Sequence, residues 1–587
     1  MENYKHALCI YEKFGEECKQ ACVFNDIGGL YSSLGDNGKA MENYKHALCI
    51  YEKLGEVRKQ ADVYNGIGIT YGSLGDKGQA IENLKNALCI YEKFGEEHKE
   101  ADVYNNIGNT YYSLGDGGQA MENLKNALCI YEKFGEKRKQ AVVNSNIGDA
   151  YYSLGDNSQA MVNYKHALCI HEKFGEECKQ AAVYNNIGNL YYSLGDNGQA
   201  MENYKHALCI YEKFGEERKQ ADVYSNIGDV FSSLGDNGQA MENYKHALCI
   251  YEKFGEECKQ ACVFNDIGGL YSSLGDNGKA MENYKHALCI YEKLGEVRKQ
   301  ADVYNGIGIT YGSLGDKGQA IENLKNALCI YEKFGEEHKE ADVYNNIGNT
   351  YYSLGDSGQA MVNYKNALCI HEKFGEERKQ AVVYSNIGNT YYSLGDNGQA
   401  MVNYKKALCI HEKFGEEREQ AVVYSNIGNT YYSLGDNGQA MENYKHALCI
   451  YEKLGEECRL ARVYNNIGLV FCSLGDNSQA MMNFKKALCI FRKFGEEHGQ
   501  AAAYSSIASI VGFYDLVEGM VLYRSALALF QKHGDVIRQA ETWHNIGILY
   551  LNMSEHPEAE KSLKESLRLS ELVFMNLGSL EKLKLPL

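Results

Sequence analysis

The stretch ADVYNNIGNTYYSLGDGGQAMENLKNALCIYEKFGEKRKQ, residues 101–140, decides the fold. Tyr104, Ile107, Gly108, Tyr111 and Leu114 stand at the i, i+3, i+4, i+7 spacing of one helix face, and Ala120, Leu124, Ala127, Leu128 and Tyr131 form a second such face. Between them, Leu114-Gly115-Asp116 stops one helix and starts another. A glycine takes the left-handed conformation that follows a helix, and an aspartate three residues before Gln119 accepts a free amide of the next first turn. Phe134-Gly135 ends the second helix in the same way. The stretch is therefore a helical hairpin, helix A then helix B. In the following copy the two helices are expected near residues 137–154 and 157–174.

The same forty residues return from the first residue to about residue 500. A period of this length marks a solenoid, whose units bury surface only against their neighbours, so a chain of 587 residues needs no single large core. Counting Ala101 as position 1, repeats begin at 21, 61, 101 and every fortieth residue to 501. The layout expected is an orphan helix B over 1–20 and twelve units over 21–500. A degenerate unit over 501–539 follows, in which Ala508 replaces the helix A glycine and helix B is displaced by one residue. The last unit spans 540–575, with Trp543, Ile546, Gly547, Tyr550, Ala559 and Leu563 in register, and 576–587 is a tail or cap. Residues 1–116 are identical to residues 241–356. A glycine inside a helix costs about 1 kcal/mol relative to alanine, yet Gly28, Gly68, Gly148 and Gly188 all repeat Gly108. A close approach of helix A to helix B is the expected compensation.

The net charge of -18 argues against a nucleic-acid partner, which requires clustered lysine and arginine. There is no apolar run of the roughly 18 residues that a membrane span needs, so no membrane partner is expected. The opening Met1-Glu2-Asn3-Tyr4-Lys5 lacks a secretory leader's basic and apolar regions, and the expected compartment is the cytoplasm. Thirteen of the 20 cysteines fall at position 29, in the string Ala-Leu-Cys-Ile. Equivalent atoms in stacked helices lie about 10 Å apart, beyond the roughly 7 Å between Cα atoms that a disulfide spans, so these are free thiols, read as small core residues. Cys18 and Cys22 form only a spacing-four pair, and neither a metal nor a cofactor is expected. In GIGITYG, residues 66–72, the third glycine is one residue too far for a dinucleotide loop and lies inside helix A. Histidines such as His6 and His46, beside lysines, read as solvated surface. No nucleophile, base and orienting group recur together, so the chain is not expected to be an enzyme.

Tyr104, Ile107, Gly108, Tyr111, Ala120, Leu124 and Ala127, at positions 4, 7, 8, 11, 20, 24 and 27, resemble the tetratricopeptide repeat pattern over nearly the whole chain. The forty-residue length, and Glu132 where the family has a proline after helix B, make the array similar to the longer repeats of Pins/LGN-type and large multi-repeat scaffolds, and more distantly to kinesin light chain. The resemblance implies an all-α, right-handed superhelical solenoid of antiparallel helix hairpins, with helices A lining a concave groove that binds proteins or peptides.

On helix A the residues Arg138, Val142, Ser145, Asp149 and Tyr152, spaced 4, 3, 4 and 3, share the face that the resemblance assigns to that groove. This stripe varies between repeats while the core positions hardly change. The candidate peptide-binding residues are Asn105, Asn109 and Tyr112; Arg138, Asp149 and Tyr152; Asn185, Asn189 and Tyr192; and Arg218, Asp222 and Asp229. Later repeats supply Asn345, Asn349 and Tyr352, then Asn389 and Tyr392, then Asn429 and Tyr432. Asparagines offer donors and acceptors to a peptide backbone, and tyrosines offer rigid amphipathic contact. Alanine at Asn345, Asn349 and Tyr352 is expected to remove ligand with little change in melting temperature. The expected function is a non-enzymatic protein-protein interaction scaffold. The alternative is the sensor or regulatory array of a larger signalling or innate-defence protein whose effector domain is absent from this chain.

Overall fold

The computed structural model describes residues 2–582, with side chains throughout except at Glu2, Lys5 and residues 573–582. Of the tail or cap expected over 576–587, residues 583–587 lie outside the described residues, and the backbone before them continues the last helix, His556–Lys582. Among the described residues every regular element is an α-helix, alternating A and B behind a lone first helix, Glu2–Lys13. In the repeat at 141, helix A spans Lys137–Ser153 and helix B spans Asn157–Lys173, within a residue of the boundaries the sequence implies. Gly115 and Gly135 have φ of +83° and +70°, and the backbone N–H of Gln119 donates to Asp116 Oδ1 at 3.0 Å. In the repeat at 501, helix B (Leu516–Lys532) is capped by Asp515, one residue earlier than the register of Asp476 requires.

The chain forms two compact units, Met1–Leu270 and Tyr271–Leu587. Within the first, each helix B packs between its own helix A and the next one, and successive helices A also touch: Val57–Ser73 meets Glu97–Ser113, which meets Lys137–Ser153. The second repeats this with Val297–Leu314, Glu337–Ser353 and Glu377–Ser393. Among the described residues, successive helices B do not pack on one another in this way. Helices A are thus drawn together on the inner side of each unit, and helices B lie outside.

The helix A glycine fixes the closest contact. A Cβ on Gly188 would lie 2.5 Å from a ring carbon of Tyr204, and one on Gly108 would lie 2.7 Å from Leu124 Cγ and 3.2 Å from the Ala120 carbonyl oxygen. Helix A rests its backbone directly on the side chain at position 24. In the repeat at 101 it buries Ala101, Val103, Ile107, Gly108 and Thr110, a wider face than the sequence stripe shows, because it lies between two helices B.

Three expectations are corrected. The cysteines at position 29 are not core residues: all thirteen are exposed, since that position faces away from both neighbouring helices A, beside the exposed Lys125 and Lys133 of its own helix. Leu114 follows the last helical residue, Ser113, and turns outward instead of joining the buried face. His46 is exposed, but His171, His371 and His411 are buried. These three take the place of the position-31 tyrosine, with Nδ1 at 2.7–2.8 Å from Glu176, Glu376 and Glu416.

Gly188→Ala gains helix propensity but forces Tyr204 aside, and overpacking of this kind costs about 1–3 kcal/mol. Its urea midpoint is expected to fall. Gly72→Ala, in the same helix of another repeat with nothing within 4 Å of the new Cβ, is expected to leave the midpoint unchanged or slightly raised. Equal effects of the two substitutions would contradict the packing account.

Candidate functional site

The inner stripe of helices A has two edges and a centre. At the first edge Arg138 Nε lies 3.9 Å from Glu176, with its guanidinium 5.1 Å from the centroid of the Phe174 ring. Arg218 is 3.4 Å from Glu256 and lies over Phe254. Asp222 accepts from the Tyr251 hydroxyl at 2.6 Å and from Lys259 at 2.7 Å. Charges on this edge are matched within the chain.

The centre is a ladder of side-chain hydrogen bonds. Where position 6 of the following repeat is asparagine, it donates backward: Asn146 to Asn105, Asn226 to Asn185 and Asn386 to Asn345, each at 2.9 Å. One turn further on, the position-24 tyrosine of helix B reaches beneath helix A. The hydroxyls of Tyr204, Tyr364, Tyr404 and Tyr444 donate to Oδ1 of Asn189, Asn349, Asn389 and Asn429 at 2.7–2.8 Å. Tyr164 and Tyr244 do the same for Asp149 and Asp229, both at 2.7 Å. Asn109 has Leu124 at position 24 in place of a hydroxyl, and is exposed. At the far edge Tyr112 and Tyr352 are 38% and 37% exposed, while Tyr152, Tyr192, Tyr392 and Tyr432 are half-buried. The Tyr192 hydroxyl is 3.5 Å from the Asp229 backbone oxygen.

All nineteen candidates lie on helix A, but the carbonyls of Asn105, Asn185, Asn189, Asn345, Asn349, Asn389 and Asn429 are committed to the ladder, which leaves their Nδ2 groups as the available donors. Alanine at Asn345 and Asn349 would strip partners from the Asn386 amide and the Tyr364 hydroxyl, so that change is not neutral for stability. The ladder itself, the position-6 asparagines and position-24 tyrosines, was missed by the sequence reading. Its one trace is that position 24 is leucine in Leu84 and Leu324, where position 9 is Ile69 and Ile309.

Asp149 and Asp229 are both pushed up to about 6 by burial, opposed in each case by the tyrosine hydroxyl bond that favours the charged form. Burial, with the neighbouring Asp149 charge, in turn raises the Tyr164 phenol.

The family pattern described as tetratricopeptide repeat matches residues 19–93, 99–173, 179–253, 259–333, 339–413 and 379–453, and a second pattern of that description matches 461–493 and 540–571. No curated protein sequence matches the chain. Similar solved structures include a Rap protein complexed with competence and sporulation factor, 14% identical over 68% of this chain and 99% of that one, TM-score 0.46. The apo form of the quorum sensor NprR from B. thuringiensis is 17% identical over 62% and 99%, TM-score 0.43. A signal transduction ATPase with a tetratricopeptide repeat sensor from Pyrococcus horikoshii is 17% identical over 60% and 52%, TM-score 0.44.

An unfolded aspartate ionises near pH 3.9, whereas Asp149 in the fold ionises near 6. Between those values the folded state holds the extra proton, so stability falls as pH rises through the window and the cost, up to about 3 kcal/mol, is complete above it. Asp149→Asn should keep both ladder bonds, as Asn389 does with Tyr404 and Asn426. Its guanidinium midpoint is expected to exceed that of the parent at pH 7.5, with the advantage shrinking toward pH 4. A difference independent of pH would show that the carboxylate is not strained.

Proposed function

We propose that this chain, which belongs to the tetratricopeptide repeat family, is a non-enzymatic scaffold that holds peptide segments of other proteins along the inner faces of its helices A. The observation carrying this reading is where the repeats differ. Position 9 reads Ile69, Asn109, Asp149, Asn189, Asp229 and Leu469 in repeats whose position-8 glycine and position-20 alanine do not change. Variation is concentrated on the solvent side of helix A, between an ion-paired edge and a row of tyrosines. Such a surface suits an extended segment: side-chain amides donate to its backbone carbonyls, and tyrosine rings cover its apolar side chains. Each hydrogen bond is worth about 0.5–1.5 kcal/mol net, so affinity comes from many rungs rather than one.

Among the described residues no helix is long and apolar enough to cross a membrane. The compartment that goes with this reading is the cytoplasm.

The test replaces Tyr112, Tyr152 and Tyr192 by serine, the residue already present at that position as Ser32 and Ser232. Immobilised on beads in native lysate, the triple variant is expected to lose the proteins that the parent chain retains while its far-ultraviolet helical signal is unchanged. A folded variant that retains the same proteins in the same amounts would overturn the reading.

A further inference from the structure

We infer that the inner face of the first unit receives an extended basic segment, two of whose cationic side chains, about five or six residues apart, are met by Asp149 and Asp229. The inference rests on the peptide-groove reading and specifies the chemistry of its ligand. It starts from how the chain treats its own carboxylates. On the same stripe, Asp62, Asp102 and Asp222 pair with Lys99, Lys139 and Lys259 at 2.7, 2.8 and 2.7 Å. Asp149 and Asp229, among the described residues, have no lysine, arginine or histidine as partner; a hydroxyl and an amide donate to Asp149, and a hydroxyl donates to Asp229.

The surroundings of each can be named. Asp149 faces the Tyr164 hydroxyl from helix B and the Asn186 amide at 2.9 Å from the next helix A, and its charge bears on the Tyr112 phenol of the preceding one. Asp229 faces Tyr244 from helix B and Tyr192 from the preceding helix A. At the place of Asn186, the next helix A carries Asp266, and the charges of Asp229 and Asp266 both bear on Tyr192 and Tyr244. Carboxylates lined by tyrosine are suited to an ammonium or guanidinium group, which the carboxylate attracts by charge and the ring faces by their quadrupole.

The chain contains its own control. Asn389 and Asn429 in the second unit accept the same tyrosine hydroxyl and the same backward asparagine donor, at 2.7–3.2 Å. The bonds of the rung are therefore the same with amide or acid, and a half-buried charge without a counter-ion is a cost that asparagine avoids. A cation brought by a ligand supplies what the chain does not. The spacing follows from packing: Asp149 and Asp229 stand at position 9 of the repeats at 141 and 221, two helix-packing steps of about 8–10 Å apart, and an extended chain covers about 3.3–3.6 Å per residue. Burial holds both groups near 6, so the attraction is present at neutral pH and fades as they are protonated.

The probe is a fluorescein-labelled dodecapeptide of Ser, Asn, Gly and Leu with two arginines six residues apart, against the same peptide with citrulline at both places. With the full chain at pH 7.5, fluorescence anisotropy is expected to show the arginine peptide binding at least tenfold more tightly. That preference should fall several-fold at pH 5 and disappear in the Asp149→Asn/Asp229→Asn variant, whose ladder bonds are retained. A double variant that keeps the full preference, or a parent chain that shows no preference or binds neither peptide, would overturn the inference. The two readings fail separately. If the Tyr112/Tyr152/Tyr192 serine variant loses lysate partners while the double asparagine variant keeps the arginine preference, the groove stands and its basic specificity falls. If the serine variant keeps its partners, the groove reading falls first.

Discussion

The structure depends on one contact, the bare backbone of helix A at position 8 against the side chain at position 24 of helix B. Only glycine permits it, since a Cβ on Gly148, Gly188 or Gly388 would meet the ring of Tyr164, Tyr204 or Tyr404 at 2.5–2.6 Å. The consequence reaches beyond packing. Because helix A sits so low on the ring, the tyrosine passes beneath it and its hydroxyl emerges at position 9 of the inner face, as Tyr204 does at Asn189. The core contact and the surface chemistry are two ends of one side chain. Where the ring is replaced by Leu84, Leu124 or Leu324 the close approach persists, at 2.7 Å, but nothing anchors position 9, which is Ile69, the exposed Asn109 or Ile309.

Along the stack, order is passed between neighbours by bonds of constant register. An asparagine at position 6 donates to the preceding repeat, and where position 2 is aspartate the lysine at the start of the next helix A reaches back to it, as Lys139 does to Asp102. Such exposed ion pairs contribute little individually, and the buried Ala, Val, Ile and Tyr positions carry the stability that each unit draws from the next. What the polar ladder adds is orientation: an asparagine whose carbonyl is held by a tyrosine presents its amide hydrogens in a fixed direction.

Caps, helix limits and the crowded glycine were legible because each is decided by residues close in sequence: Asp116 acts on Gln119, and Gly115 on the turn it closes. Orientation about the helix was harder. In Ala127-Leu128-Cys129-Ile130 an apolar run lies on a helix that offers one side to two neighbours, so residue type placed Cys129 inside when geometry turns it out. The buried histidines were covered by a general reading of histidine as surface, which holds for His46, while the column that His171 occupies, tyrosine in Tyr131 and Tyr211, marks a core position. The ladder was out of reach for a third reason. Its asparagine partners lie 37 or 41 residues apart, as in Asn186 with Asp149 and Asn146 with Asn105, where only the stacked fold makes them neighbours, and its tyrosine bonds join the two helices of one hairpin 15 residues apart, as in Tyr204 with Asn189.

Position 2 and position 9 show why two carboxylates of the same stripe have different fates. The lysine opening the next helix A lies opposite position 2 and pairs with an aspartate there; where position 2 is Val142, Lys179 turns instead to Glu176. Position 9 lies seven residues further, about 10 Å along the helix at 1.5 Å per residue, so that lysine cannot serve it. Opposite Asp149 the position-6 residue is Asn186, and beside Asp229 it is an aspartate, Asp266. An amide at position 9 accepts through its carbonyl and carries no charge, whereas a carboxylate accepts the same donors and keeps its charge above its raised pKa. One atom, oxygen for nitrogen, therefore changes the demand of a rung on whatever lies along it without disturbing the bonds that hold the rung in place. A repeat array built this way can vary the chemistry it presents at position 9 while the glycine contact beneath stays fixed.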